Sequence, residues 1–385
     1  WTSAGSKNGC PSNQQTMNKT SPPLLRRLLW MALLCGVVLL ACAWWFRSPQ
    51  TNAHLPVREA GPVALAVLGD SDSHSYQDRK SFPVAGTKRG GRYRQSTLQW
   101  TEVLGRLRGR SLDLGEWGVH GYPRMAARVG GLVGITLRSP RKEDYLYNFA
   151  LSGRGCSDLW GGTTRQVPAL LALMDEEPGR WRNGVVVIRI GVNDFGDAPA
   201  LDQLAQDPMS GPAQEKISAC ILAIRESVAA LHAHHPGLRI VLVGIFDNAH
   251  WSKHLDRWRS PVAIDNISAG LDVFDHAMAG MEQADPRIAF FNDREWFEQR
   301  WGARDARGQP AYRSVRLGNM HVTNTAGDDP RNATVADGHA GTVWNALWAQ
   351  SMVELLNTRF NTGIAPITDV EMIAVVEGKE FPRSP

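Results

Sequence analysis

Cysteine is scarce: the 385-residue chain carries five. Cys35 and Cys42 fall inside one long apolar run and Cys10 in the first sixteen residues, so Cys156 and Cys220 alone remain for the rest. Their expected places, a loop after one strand and a helix between others, give no reason for proximity, and two free buried thiols are expected rather than a bridge. No Cys/His spacing suits zinc, so no metal is expected. The GTKRGG run at 86–91 lacks the Gly-Lys-Ser/Thr ending of a phosphate loop, which excludes that nucleotide site. There is no internal repeat. The formal charge of +4 is small for this length, and no nucleic-acid signature accompanies it. The basic cluster of Lys88, Arg89, Arg92, Arg94, Arg106, Arg108 and Arg110 reads as a solvated face, with an anionic-ligand site as the alternative.

What is present begins with residues 28–46, LLWMALLCGVVLLACAWWF, uncharged and roughly long enough at about 1.5 Å per residue to cross a bilayer. Arg26 and Arg27 precede it, and Trp44 and Trp45 close it, an arrangement that leaves the amino end in the cytoplasm and the bulk outside. Three readings stand open: a retained single-pass anchor, a signal peptide cut after Ala41-Cys42-Ala43, and a lipoprotein acylated at Cys42. All export the chain, so a cell-envelope protein on the outer side of the cytoplasmic membrane is expected, periplasmic in a Gram-negative cell. Residues 1–16 precede Met17 and read as an upstream leader, 17–47 as the membrane or signal segment, 48–62 as a linker, 63–360 as the folded domain and 361–385 as a surface tail.

Within the domain, short β-rich apolar runs alternate with helical patterns. Strands are expected at 63–69, 112–117, 145–151, 185–190, 239–246 and 288–291. Helices are expected at 97–107, 163–175, 213–234, 262–283 and 341–359, with a short one near 369–376. Runs apolar at every position suit strands buried on both faces, so the alternation predicts a mainly parallel α/β sheet covered by helices.

The unusual polar residues follow the strands. VALAVLGDSDSHSY breaks from an apolar run into Gly69-Asp70-Ser71, YNFALSGRG places Ser152-Gly153 after the next expected β segment, and VVVIRIGVNDFGD places Gly191, Asn193 and Asp194 after another. VADGHAGTVWNALWA sets Asp337 and His339 before the last long helix. A serine, a glycine amide, an asparagine side chain and a histidine are the parts acyl transfer needs: a nucleophile, oxyanion donors and a general base. Ser73 and His74 are the neighbouring rivals to Ser71 and His339, and Asp70 and Asp194 read as structural caps on loop amides.

In this order the motifs resemble the SGNH, or GDSL-type, serine hydrolases over 63–360. The resemblance implies a flavodoxin-like three-layer α/β fold with a central, mainly parallel sheet, and a Ser-His-Asp esterase without cofactor. It assigns Ser71 as nucleophile and oxyanion amide, Gly153 as second amide, Asn193 as side-chain donor and His339 as base. The common family pattern has its aspartate three residues before the histidine, where this chain has Ala336. Asp337, two before, is the expected orienting acid, as in alginate-type O-acetyltransferases, with Asp328, Asp329 or a Ser-His dyad as alternatives. Trp160 and Phe195 directly follow site motifs and are candidates to line the acyl or sugar pocket. The expected substrate is an O-acyl ester, of a carbohydrate or a small acetyl ester. An O-acyltransferase to a cell-envelope glycan and a silent glycan-binding domain on the same fold are the alternatives.

Overall fold

The computed structural model describes residues 61–82 and 89–379. The leader, the 28–46 run and nearly all of the linker therefore lie outside the described residues. Among the described residues no helix is long and apolar enough to cross a membrane, so the expected single-pass anchor is unsupported.

Five strands build the central sheet: β1 (Val63–Gly69), β2 (Leu112–Asp113), β5 (Val185–Arg189), β6 (Arg239–Val243) and β7 (Ile288–Phe291), in the order β2-β1-β5-β6-β7. Every pairing is parallel. The apolar runs behave as strands covered on both faces. Ala64, Ala66 and Leu68 enter one core cluster, Leu65 and Val67 the other, and Val186 and Ile188 alternate with Val185 and Val187 in the same way. The first cluster is completed by helices α3 (Gln166–Met174), α4 (Ala198–Gln206), α5 (Gly211–His234) and α6 (Pro261–Ala284). The second is completed by α1 (Trp100–Arg108), α7 (Asp293–Trp301), α8 (Thr342–Phe360) and α9 (Asp369–Val376). The result is a three-layer α/β arrangement whose strands all point their carboxyl ends the same way. Gly69 ends β1 where a Cβ would meet Arg189 O at 2.3 Å, so only glycine permits β1 and β5 to approach this closely there.

Three expectations change. The strand expected at 145–151 is instead β4 (Lys142–Tyr145), antiparallel to β3 (Trp117–His120) in a ribbon outside the main sheet. Residues 146–151 run beside β1 with a single bridge, Val67 to Asn148. The pairing does not extend because the buried Gln166 side chain takes the next rung: its Oε1 accepts from Gly69 N and its Nε2 donates to Gly69 O, each at 2.8 Å. The region beyond 360 is not a surface tail in its described part, because Ile364, Ile367, Met372, Val375 and Val376 are buried and Glu371 pairs with Arg108. A further three-stranded sheet, β8 (Val315–Leu317), β9 (Met320–Ala326) and β10 (Asn332–Thr334), was not anticipated.

Cys156 and Cys220 form a disulfide with Cα atoms 5.0 Å apart, correcting the expectation of free thiols. Tertiary packing brings them together: the turn at Cys156–Leu159 rests on α5, and Trp160 Nε1 donates to Ala223 O and Ser227 Oγ of that helix. The bridge closes a separation of 64 residues. Cys220→Ser is therefore expected to cost about 2–4 kcal/mol of stability, read as a lower urea midpoint than the oxidised wild type.

Candidate active site

Ser71 lies just past the carboxyl end of β1, in a loop closed on itself. Asp70 Oδ1 accepts from Asp72 N at 2.9 Å, while Asp70 O accepts from Ser73 N and His74 N at 3.3 and 3.1 Å. Burial, then the nearby Asp72 carboxylate, pushes the Asp70 carboxyl up. From outside the loop, Gln99 Nε2 donates to Ser71 O and Arg189 Nη1 to Asp72 O. The Ser71 N–H is left without a partner among the described residues.

A cleft of about 320 Å³ opens here, and Ser71, Asp72, Asn193, Trp251, His339 and Trp344 are among its walls. His339 reaches it from the loop between β10 and α8. That loop is pinned by Val335 N to His339 O at 2.8 Å and Trp251 Nε1 to Gly338 O at 2.6 Å. Gly338 takes φ +96°, where a Cβ would strike the Trp251 ring at 2.1 Å. Asp337 Oδ1 lies 2.9 Å from His339 Nδ1 and also accepts His339 N–H. Burial alone would raise the Asp337 carboxyl, but the bond and charge of His339, followed by the Arg89 guanidinium, hold it at about 2. Asp328 and Asp329 bond elsewhere, to Ala336 N and to Tyr93 and Arg331. Asp337 is thus the carboxylate on His339.

The other face of the imidazole is occupied by Arg89. Its Nη2 stands 3.0 Å from His339 Nε2 and 3.4 Å from Ser152 Oγ, and its Nε 3.5 Å from Asp337 Oδ2. A guanidinium can only donate, so Nε2 is the acceptor and Nδ1 carries the proton given to Asp337. Arg89 is 5% exposed and stacks over the Tyr76 and Phe82 rings. It is no part of a solvated basic face. No hydrogen bond joins Ser71 to His339 in this state, although both line the cleft.

The expected oxyanion donors come from neighbouring loops. Gly153, at φ +75°, is exposed and its N–H has no partner among the described residues. Asn193, in the short turn after β5, donates one Nδ2 hydrogen to Arg154 O at 2.9 Å, and Asp194 accepts from Cys156 N. These two contacts bring the loop after β5 against the loop carrying Gly153. Gly153 itself does not line the cleft.

Phe195 and Trp160 are not pocket residues. Phe195 is fully buried against Phe274, and Trp160 is turned onto α5. The rival pair is likewise engaged elsewhere. Ser73 Oγ accepts from Trp100 Nε1, and His74 bonds Asp78 through Nε2 and Ser152 through Nδ1, each at 2.9 Å. Sequence reasoning missed Arg89, Ser152 and Asp78. The faint signal was proximity, since Asp78 and His74 are four residues apart in the loop that bears Ser71.

No family model matches the chain, and no curated protein matches it.

Proposed function

We propose that the chain is a serine esterase of the SGNH type, with a flavodoxin-like three-layer fold, acting on the O-acyl group of a carbohydrate or a small acetyl ester. The observation that carries this reading is the meeting, in one cleft, of a strand-end serine with an unbonded amide and a histidine already held by a carboxylate in the tautomer a general base needs. Ser71 Oγ attacks the acyl carbonyl and His339 Nε2 takes the serine proton, after exchanging the Arg89 guanidinium for the hydroxyl. Asp337 keeps the imidazole in register and stabilises the imidazolium. The oxyanion is met by the Ser71 amide and the open hydrogen of Asn193 Nδ2, both at the cleft, with the Gly153 amide, on the neighbouring loop that Asn193 bonds at Arg154 O, as the third donor. His339 returns the proton to the departing alcohol, and water then releases the acid by the same path.

Asn193→Ala is expected to lower kcat by about 100- to 1000-fold, the usual effect of losing one oxyanion donor, measured on p-nitrophenyl acetate. Unchanged turnover would remove Asn193 from the mechanism.

A second reading draws on the Asp337-x-His339 spacing, which matches that of alginate-type O-acetyltransferases: the acyl-enzyme passes its group to a glycan hydroxyl instead of water. The two share an intermediate. Product analysis with and without an acceptor glycan separates them, free acetate in both cases supporting the esterase.

A further inference from the structure

Six groups, of which His339 lines the cleft, form one hydrogen-bonded file. Asp78 Oδ2 meets His74 Nε2 at 2.9 Å, His74 Nδ1 meets Ser152 Oγ at 2.9 Å, Arg89 Nη2 reaches both Ser152 Oγ and His339 Nε2, and His339 Nδ1 meets Asp337. The direction of each bond is set by partners that can act only one way: the Arg89 guanidinium only donates, the Ser152 backbone N–H makes His74 Nδ1 an acceptor, and the Asp78 carboxylate accepts from His74 Nε2. The Arg89 hydrogens go to Ser152 and His339, Ser152 O–H goes on to His74 Nδ1, and His74 Nε2–H goes to Asp78. The Ser152 backbone N–H also donates to His74 Nδ1, at 3.2 Å. His74 therefore grips Ser152 by main chain and side chain at once. The residue after Ser152 is Gly153.

His74 and Asp78 side chains are fully buried, so neither touches a substrate. Asp78 is fixed in turn by Lys80 N, Ser81 N and Glu143 N, all donating to its Oδ1. Burial, then the Lys142 ammonium, lowers the imidazole to about 4 despite Asp78 and Asp144. At neutral pH it is thus an uncharged acceptor toward Ser152 and a weak base for catalysis.

We propose that the Asp78–His74 pair is a positioning device for the oxyanion hole, setting the distance between the Ser71 and Gly153 amides. The inference rests on the esterase reading given above. The two amides lie on separate loops, and an oxyanion hole works only when its donors are aimed before charge develops. His74 belongs to the Ser71 loop, its own N–H bonded to Asp70 O, while its ring holds the Gly153 loop. One residue thereby ties the two donors together, and a displacement of about 1 Å in such a site is enough to cost about a hundredfold in rate.

The test is a set of three variants assayed on p-nitrophenyl acetate, with active sites counted by fluorophosphonate titration. His74→Gln keeps a donor toward Asp78 but loses the acceptor at Nδ1, and is expected to lower kcat about 10- to 100-fold with KM within about threefold. His74→Asn places an amide oxygen near the Nδ1 position and is expected to recover most of that loss. Asp78→Asn preserves shape but lets the ring take the other tautomer, turning an N–H toward Ser152, and is expected to behave like His74→Gln even if the latter does not fold. Amide hydrogen exchange over 151–155 should rise in the two slow variants and not in His74→Asn. Folded variants with wild-type kcat per titrated site would overturn the inference and leave the esterase reading intact, as would equal losses for Gln and Asn. A folded wild type that neither labels nor turns over would remove the reading and the inference with it.

Discussion

Ser71→Ala is expected to abolish fluorophosphonate labelling and to lower ester turnover by at least about 10,000-fold, toward the roughly millionfold loss measured when a serine nucleophile is deleted from a working triad. The size follows from role. Oxyanion and binding terms survive such a deletion, but the covalent route does not. A decisive control is Ser152→Ala, because Ser152, His74 and Asp78 have the connectivity of a second serine-histidine-aspartate set. Ser152 Oγ already donates to one ring and accepts from Arg89, and its histidine is held uncharged at about 4, a poor proton acceptor at neutral pH. Ser152→Ala should therefore still label. Labelling lost in Ser152→Ala and kept in Ser71→Ala would exchange the two sets and overturn the assignment of Ser71.

The parts of this molecule legible from its sequence are those where one physical rule acts alone. β1, β5 and β6 are apolar at nearly every position because both faces are covered, and a run such as Val185–Arg189 states that burial directly. The polar residues after β1 and β5 stand out against them, which is why Ser71 and Asn193 could be named, while His339 was marked by its place before the last long helix; all three line one cleft. Pairings made by tertiary packing were hidden. Cys156 and Cys220 are separated by 64 residues and meet because a turn settles on α5. Arg89 sits in a basic stretch that resembles a surface, and only the fold brings Tyr76, Phe82 and His339 around it. β9 was obscured for a different reason. Its inward positions include Asn324, which spends its Nδ2 on His250 O, so the apolar alternation that marks a half-buried strand is broken where a side-chain amide replaces a hydrocarbon.

The same coupling of core and cleft governs the second large effect, at Asp293. Asp293 opens α7 and is 1% exposed. Its Oδ2 accepts from Arg189 Nη2 at 2.8 Å and its Oδ1 from Trp348 Nε1 at 2.9 Å. Arg189 ends β5, stacks over Trp348 and donates to Asp72 O beside the nucleophile. The two halves of the pair differ. Burial wins over the guanidinium at Asp293 and pushes its carboxyl up. At Arg189 burial acts downward, but the carboxylates of Asp293, Asp72 and Asp70 outweigh it. The pair as a whole therefore contributes little net stability, whereas half of it alone is costly. Asp293→Asn keeps an acceptor for Trp348 yet leaves the arginine charge with only Asp72 and Asp70 nearby, so a loss toward the lower end of about 3–5 kcal/mol is expected in urea unfolding. Arg189→Met combined with Asp293→Asn should recover most of it, because no unpaired charge remains. Below its unfolding midpoint, Asp293→Asn should also turn over more slowly, as an arginine freed from Asp293 no longer holds Asp72 O. A single variant with the wild-type midpoint would show that Asp72 and Asp70 suffice as counter-charges and that the α7 contact is dispensable to the Ser71 loop.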